Sequence, residues 1–160
     1  MKKRSRTGKL PYKEGTWFAV PLEQGGYGVG RVARHAPHGK IILAYLFGAR
    51  RDHVPTLDEL DQLEPHQAVK VRRSSDLGLV DGSWPVISDS PRWERDRWPI
   101  PPCIRKDELS GTAWKVTYSD SDLSEVESEQ RIPYETTGME TAGFSGSGAV
   151  EYVLSELLKA

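Results

Sequence analysis

Two extended apolar segments that meet at Gly25-Gly26 constrain this chain more than any other stretch. Trp17, Phe18 and Val20 precede the glycine pair and Tyr27, Val29 and Val32 follow it. Aromatic and β-branched residues suit a pleated ladder, glycines supply the positive φ of a tight reversal, and Pro21 closes the first segment where a ladder amide is missing. The run from Gly15 to Ala33 therefore predicts a β-hairpin. A period of two puts Gly28 and Gly30 on one face and Tyr27, Val29 and Arg31 on the other, so something packs closely over the glycine face, in the first instance another part of the same chain. A dinucleotide fingerprint fails on spacing: Gly26, Gly28 and Gly30 follow at intervals of two, Arg31 stands where the third glycine belongs, and no helix follows to receive a pyrophosphate.

Beyond the hairpin, the apolar run from Ile41 to Phe47 predicts a central strand buried on both faces. Spacing then becomes helical over residues 55–63, with Thr56 as N-cap, Glu59 completing a capping box, and Leu57, Leu60 and Leu63 on one face. Alternation over residues 67–72 predicts a half-exposed strand, and residues 79–87 a turn followed by a short strand. Pro91, Pro99, Pro101 and Pro102 block a ladder over residues 90–103, leaving an ordered loop that carries Trp93 and Trp98. Residues 112–118 alternate as a strand, with residues 127–134 pairing back across an acidic turn. The Gly, Ser and Thr of residues 136–148 read as a flexible connection, and residues 149–160 as an amphipathic helix with Val150, Val153, Leu154, Leu157 and Leu158 on one face. That stripe seats either on the chain's own sheet or on a partner. The expected fold is mainly β: an antiparallel, partly closed SH3-like barrel or strongly twisted sheet with a short central helix and a C-terminal helix. Residues 1–10 read as a disordered basic tail and residues 11–135 as one β-rich domain.

At 160 residues, 37% apolar and 28% charged, the chain is the size of one domain and more polar than average. A lone Cys103 excludes an internal disulfide framework and fits a reducing compartment; no apolar run spans a membrane, and Met1 to Leu10 lacks the apolar core of a secretory signal. The expected location is the cytoplasm. Net charge is −1 but unevenly placed: residues 1–106 hold 19 basic against 12 acidic side chains, residues 107–160 hold 3 against 11. Such halves pack against each other or meet charged partners.

Bond-making chemistry finds no support. His35, His38, His53 and His66 lack the i, i+4 spacing of a helical zinc site, and one cysteine builds no structural one. Ser145 and Ser147 stand in a glycine-rich linker without the strand that precedes a nucleophile elbow. Neither Asp58 with Asp61 nor Asp120 with Asp122 carries a sequence signal that would separate the two pKa values. No catalytic residue, metal or cofactor is expected, and the chain reads as a binder. Trp93, Arg95, Arg97 and Trp98 have the composition of interface anchors, although the same tryptophans could cap the chain's own sheet. Asp120, Asp122, Glu125, Glu127 and Glu129 form a second candidate contact surface. Trp17, Trp84 and Trp114 lie in expected strands and read as core.

Taken in order, residues 11–22, the strand Gly26-Tyr27-Gly28-Val29-Gly30-Arg31-Val32, Ala44-Tyr45-Leu46-Phe47-Gly48 and Gly82-Ser83-Trp84-Pro85-Val86-Ile87 resemble the immunity protein 26 family, over roughly residues 11–110. Trp98-Pro99-Ile100-Pro101-Pro102 and Asp107-Glu108-Leu109-Ser110-Gly111 are also similar, whereas residues 136–160 have no counterpart. The resemblance implies a mostly β antitoxin that binds and neutralises a toxin of bacterial polymorphic toxin systems, with no catalytic residues to carry over. An acidic surface would suit a basic, nucleic-acid-degrading toxin. The competing reading is a small SH3-like nucleic-acid-binding module using Lys2 to Lys13, Arg31, Arg34, Arg50, Arg51, Arg72 and Arg73; a pI near 6.4 makes nucleic acid the less fitting partner.

Overall fold

A computed structural model describes residues 9–159. Of the basic tail expected over residues 1–10, only Lys9 and Leu10 fall within that range. The hairpin forms as expected: β1 (Trp17–Pro21) and β2 (Tyr27–His35) pair antiparallel, with Trp17 opposite Arg31, Phe18 opposite Gly30 and Val20 opposite Gly28. Gly25 and Gly26 turn the chain at φ 88° and 77°, the left-handed region that glycine enters without steric cost. β3 (Ile41–Arg51) lies on the other side of β2 and is interior, flanked in turn by the edge strand β4 (Lys70–Ser75).

Between β3 and β4 the chain makes a short helix, α1 (Leu57–Leu60), where the Thr56 amide donates to Glu59 Oε2 at 2.8 Å as the capping pattern predicts, and then a 3-10 turn at Pro65–Gln67. After β4 comes α2 (Leu77–Asp81), a helical turn where sequence patterning gave only a turn; Gly82 ends it at φ 85°. β5 (Val86–Ser88) then pairs with β1, completing a five-stranded sheet in the order β4-β3-β2-β1-β5.

A second sheet, in the order β8-β7-β6-β9, follows from β6 (Cys103–Asp107), β7 (Thr112–Tyr118), β8 (Val126–Ile132) and β9 (Glu140–Thr141), the last parallel to β6. Trp114, expected in the core, is half-buried under Arg105 and Arg131, whose guanidinium carbons lie 4.4 and 5.6 Å from its ring centroid. The chain is mainly β, but among the described residues no barrel closes. The outer side of β4 is taken by Ser145, whose carbonyl accepts the Ser75 amide and whose amide donates to the Arg73 carbonyl, so β4 does not reach β5. The segment expected as a flexible connection over residues 136–148 thus carries β9 and this bridge.

Both faces of the five-stranded sheet are covered. On one, Phe18, Val20, Val32, Ile42 and Leu46 pack with Trp84 and with Val150 and Leu154 of α3 (Ser147–Leu157). This helix explains the glycines: a Cβ on Gly28 would lie 2.5 Å from Leu154 Cδ2, and one on Gly48 2.7 Å from Leu158 Cδ2. The amphipathic stripe therefore seats on its own sheet, although narrower than expected, because Leu157 remains 48% exposed. Ser155 fixes the end of α3 to the hairpin turn by accepting the Glu23 amide at 2.9 Å. On the opposite face Trp17, Val29, Leu43, Tyr45 and Phe47 pack with Leu60, Trp98 and Leu123.

Candidate partner-binding surface

The prolines that deny residues 91–102 a ladder leave a single 3-10 turn at Arg95–Arg97, and this turn brings Trp98 edge-on against the second face. Trp98 is 3% exposed, with ring centroids 5.1 Å from Tyr45, 6.0 Å from Trp93 and 6.1 Å from both Trp17 and Phe47. Of the two roles open to it, capping the sheet is the one it fills. A bulge in β2 between Val32 and Arg34 turns the buried Arg34 toward this loop, where its Nη1 donates to the Trp98 carbonyl at 3.0 Å.

Arg95 ties three segments together. Its Nε donates to Glu14 Oε1 at 2.9 Å, its Nη2 to the Asp120 carbonyl at 2.9 Å, and its Nη1 to the Asp120 carboxylate, which also accepts Arg34 Nε at 2.7 Å. Arg97 pairs with Glu64. Arg95 and Asp120, which sequence reading placed on two separate surfaces, are thus partners in one ion cluster. Burial alone would raise the Asp120 carboxyl, but the hydrogen bonds from Arg34 and Arg95 outweigh it and hold the group below its usual range. A depressed carboxylate adds stability above its unfolded pKa of about 3.9 and loses it as pH falls through the folded value. Asp120→Asn is expected to cost on the order of 1 kcal/mol at neutral pH, a modest figure for a half-exposed carboxylate. In urea titrations across pH the gap between variant and parent should close as the solution is acidified below the carboxylate range; a gap that persists there would refute the assignment.

The remaining acids are arranged differently. Asp122 stabilises its own turn by accepting the Ser124 amide at 3.0 Å and hydroxyl at 2.6 Å, which hold its carboxyl below the usual range. Glu125, Glu127 and Glu129 are exposed, the last two on β8, an edge strand exposed along nearly its whole length. Glu129 pairs with Arg105 at 3.0 Å. Of the basic residues gathered for a nucleic-acid face, Arg31 and Arg34 are buried, Arg50 pairs with Asp52, and Arg73 donates to the Leu123 carbonyl while lying 4.1 Å over the Tyr118 ring, whereas Lys2 to Gly8 lie outside the described residues.

Sequence reading missed the role of Arg31. Register places it between Trp17 and Tyr45 on the second face, where it is 3% exposed and boxed by Trp17, Trp93 and Trp98, whose centroids lie 4.6, 4.7 and 4.8 Å from its guanidinium carbon. Its Nε donates to the Gly15 carbonyl at 3.1 Å, and its Nη2 is buried with no hydrogen-bond partner among the described residues. Burial pushes its pKa down to about 10, against an upward pull from Asp61. Arg31 and Trp98 line a polar cleft of about 280 Å³ together with Asp61, Glu64, Arg92 and Arg97. The legible signal was an arginine sharing a strand face with Val29.

Burial pushes the Cys103 thiol up, away from the reactive thiolate. Among the described residues no group of three or more His, Cys, Asp or Glu is placed to hold a metal, and no helix is long and apolar enough to cross a membrane. No curated protein and no solved structure matches the chain. A family model does: Immunity protein 26 matches residues 13–115, a span that runs from the approach to β1 into β7 and holds the hairpin, Arg31 and the Trp93 to Trp98 loop. With 103 of 160 residues matched, this chain belongs to the immunity protein 26 family.

Proposed function

We propose that this chain is a cytoplasmic immunity protein that binds a cognate toxin domain of a bacterial polymorphic toxin system and neutralises it by occlusion, without turnover. The family match over residues 13–115 carries the reading. The exposed sides of Trp93, Arg95 and Arg97 and the acids Glu125, Glu127 and Glu129 form the contact surface, with Asp120 and Asp122 bracing the turn between them and the buried Trp98 supporting the loop from beneath. Exposed carboxylates speed capture of a basic toxin and disfavour acidic partners.

Co-expression with the toxin domain encoded beside this gene tests the proposal. Growth should be restored and the two proteins should co-elute on gel filtration; continued killing with no complex would refute it. Charge reversal by Glu125→Lys with Glu127→Lys is expected to slow association several-fold at low salt and to flatten its salt dependence, since exposed charges at an interface act mainly on the on-rate. An unchanged on-rate would move the contact surface elsewhere.

A further inference from the structure

We infer that the cleft over Arg31 is a receptor for a carboxylate, the aspartate or glutamate side chain of the bound toxin; this rests on the toxin-binding reading above. β2 is hydrogen-bonded on both sides, so Arg31 can reach the cleft only with its side chain. That side chain is a buried cation with one hydrogen bond among the described residues, from Nε to the Gly15 carbonyl. Three tryptophan rings attract its charge through their π faces, but they do not accept its in-plane N–H groups, and Nη2 is left without an acceptor.

An unpaired buried donor is costly, and natural structures keep few of them. Asp61 does not relieve it, because its Oδ1 accepts the Ser90 hydroxyl at 2.6 Å and its Oδ2 faces Arg92 at 3.9 Å. A planar, singly charged acceptor matches the guanidinium fork. Arg92 and Arg97, on the exposed rim, would draw such an anion inward. Asp61, Glu64 and Glu94 stand in the same walls and oppose a doubly charged phosphate more than a carboxylate. The cleft therefore selects a carboxylate, and the Trp93 to Trp98 loop that roofs it is the loop assigned to the partner surface.

The first test needs no toxin. Acetate, inorganic phosphate and chloride are titrated at fixed ionic strength, following the Arg31 Nε–H resonance and tryptophan emission. Acetate should give a saturable shift in the millimolar range, several-fold tighter than phosphate, and Arg92→Gln with Arg97→Gln should weaken it a few-fold. No saturation beyond the chloride control overturns the receptor, and tighter phosphate binding overturns its selectivity for carboxylate. The second test measures toxin binding. Arg31→Lys, checked for an unchanged circular dichroism spectrum, should weaken the complex by tenfold or more, mainly through faster dissociation; equal affinity in the folded variant overturns the assignment of the toxin side chain. If Arg31→Lys does not fold, the Arg92 and Arg97 variant replaces it, with a several-fold loss expected and no loss overturning the assignment. Acetate saturation with no binding of toxin to the unmodified protein would overturn the toxin as occupant and, with it, the functional reading, while leaving the carboxylate receptor in place.

Discussion

Trp98→Ala is expected to destabilise the protein by about 3–5 kcal/mol, the usual cost of truncating a large buried aromatic. The ring is 3% exposed and meets Trp17, Tyr45, Phe47 and Trp93. Its removal opens a void on the second face of the five-stranded sheet that prolines on either side of the loop prevent the backbone from filling. One wall of the box around Arg31 is lost as well, so a buried guanidinium with few hydrogen bonds also loses π stabilisation. Urea unfolding should show the midpoint falling at nearly constant slope. A loss below about 1 kcal/mol would mean that the loop can re-close, and that Trp98 is a surface anchor rather than the sheet's cap. Trp93→Ala is expected to cost less, since that ring is only half-buried.

What could be read from the sequence follows from how local the determining physics is. The Gly25-Gly26 hairpin, the burial of β3 and the Thr56 to Glu59 capping box depend on residues adjacent in the chain, and each is found. β6 went unseen because Pro99, Pro101 and Pro102 directly precede it; its hairpin with β7 is local, but its other neighbour, β9, comes from more than thirty residues along the chain. The edge of β4 was not legible either: Ser145, in a segment of weak β propensity, takes it, and among the described residues the sheet stays open. At the surface, composition singled out the Trp93 to Trp98 loop but could not tell which side of it faces outward. Arg95 and Asp120 are 25 residues apart in the chain and neutralise each other. Arg31, which in sequence is a surface cation beside a glycine, becomes a buried one only because β1 and β3 put Trp17 and Tyr45 on either side of it.

The glycine face gives the sharpest double-mutant cycle. Gly28 has ordinary strand dihedrals, so alanine there strains no backbone; the difficulty is that its Cβ would sit 2.5 Å from Leu154 Cδ2, on a side chain fully buried with no room to swing. Gly28→Ala alone should cost about 1–3 kcal/mol by overpacking. Leu154→Ala alone should cost about 2–5 kcal/mol, because α3 and the sheet are left with a cavity between them. Combined, the new methyl occupies part of that cavity, with Leu158 Cδ1 its nearest remaining neighbour at 3.2 Å, and the strand gains by replacing glycine. The double variant should therefore be more stable than the summed losses by about 1–3 kcal/mol, measured by urea denaturation of all four proteins. Strict additivity would mean that α3 does not rest on Gly28. The cycle also bears on how far the cooperative unit extends: Gly28 lies inside residues 13–115 and Leu154 beyond them. Coupling between the two would make the C-terminal helix a wall of the family domain's own core, filling the space that Gly28 leaves open on β2.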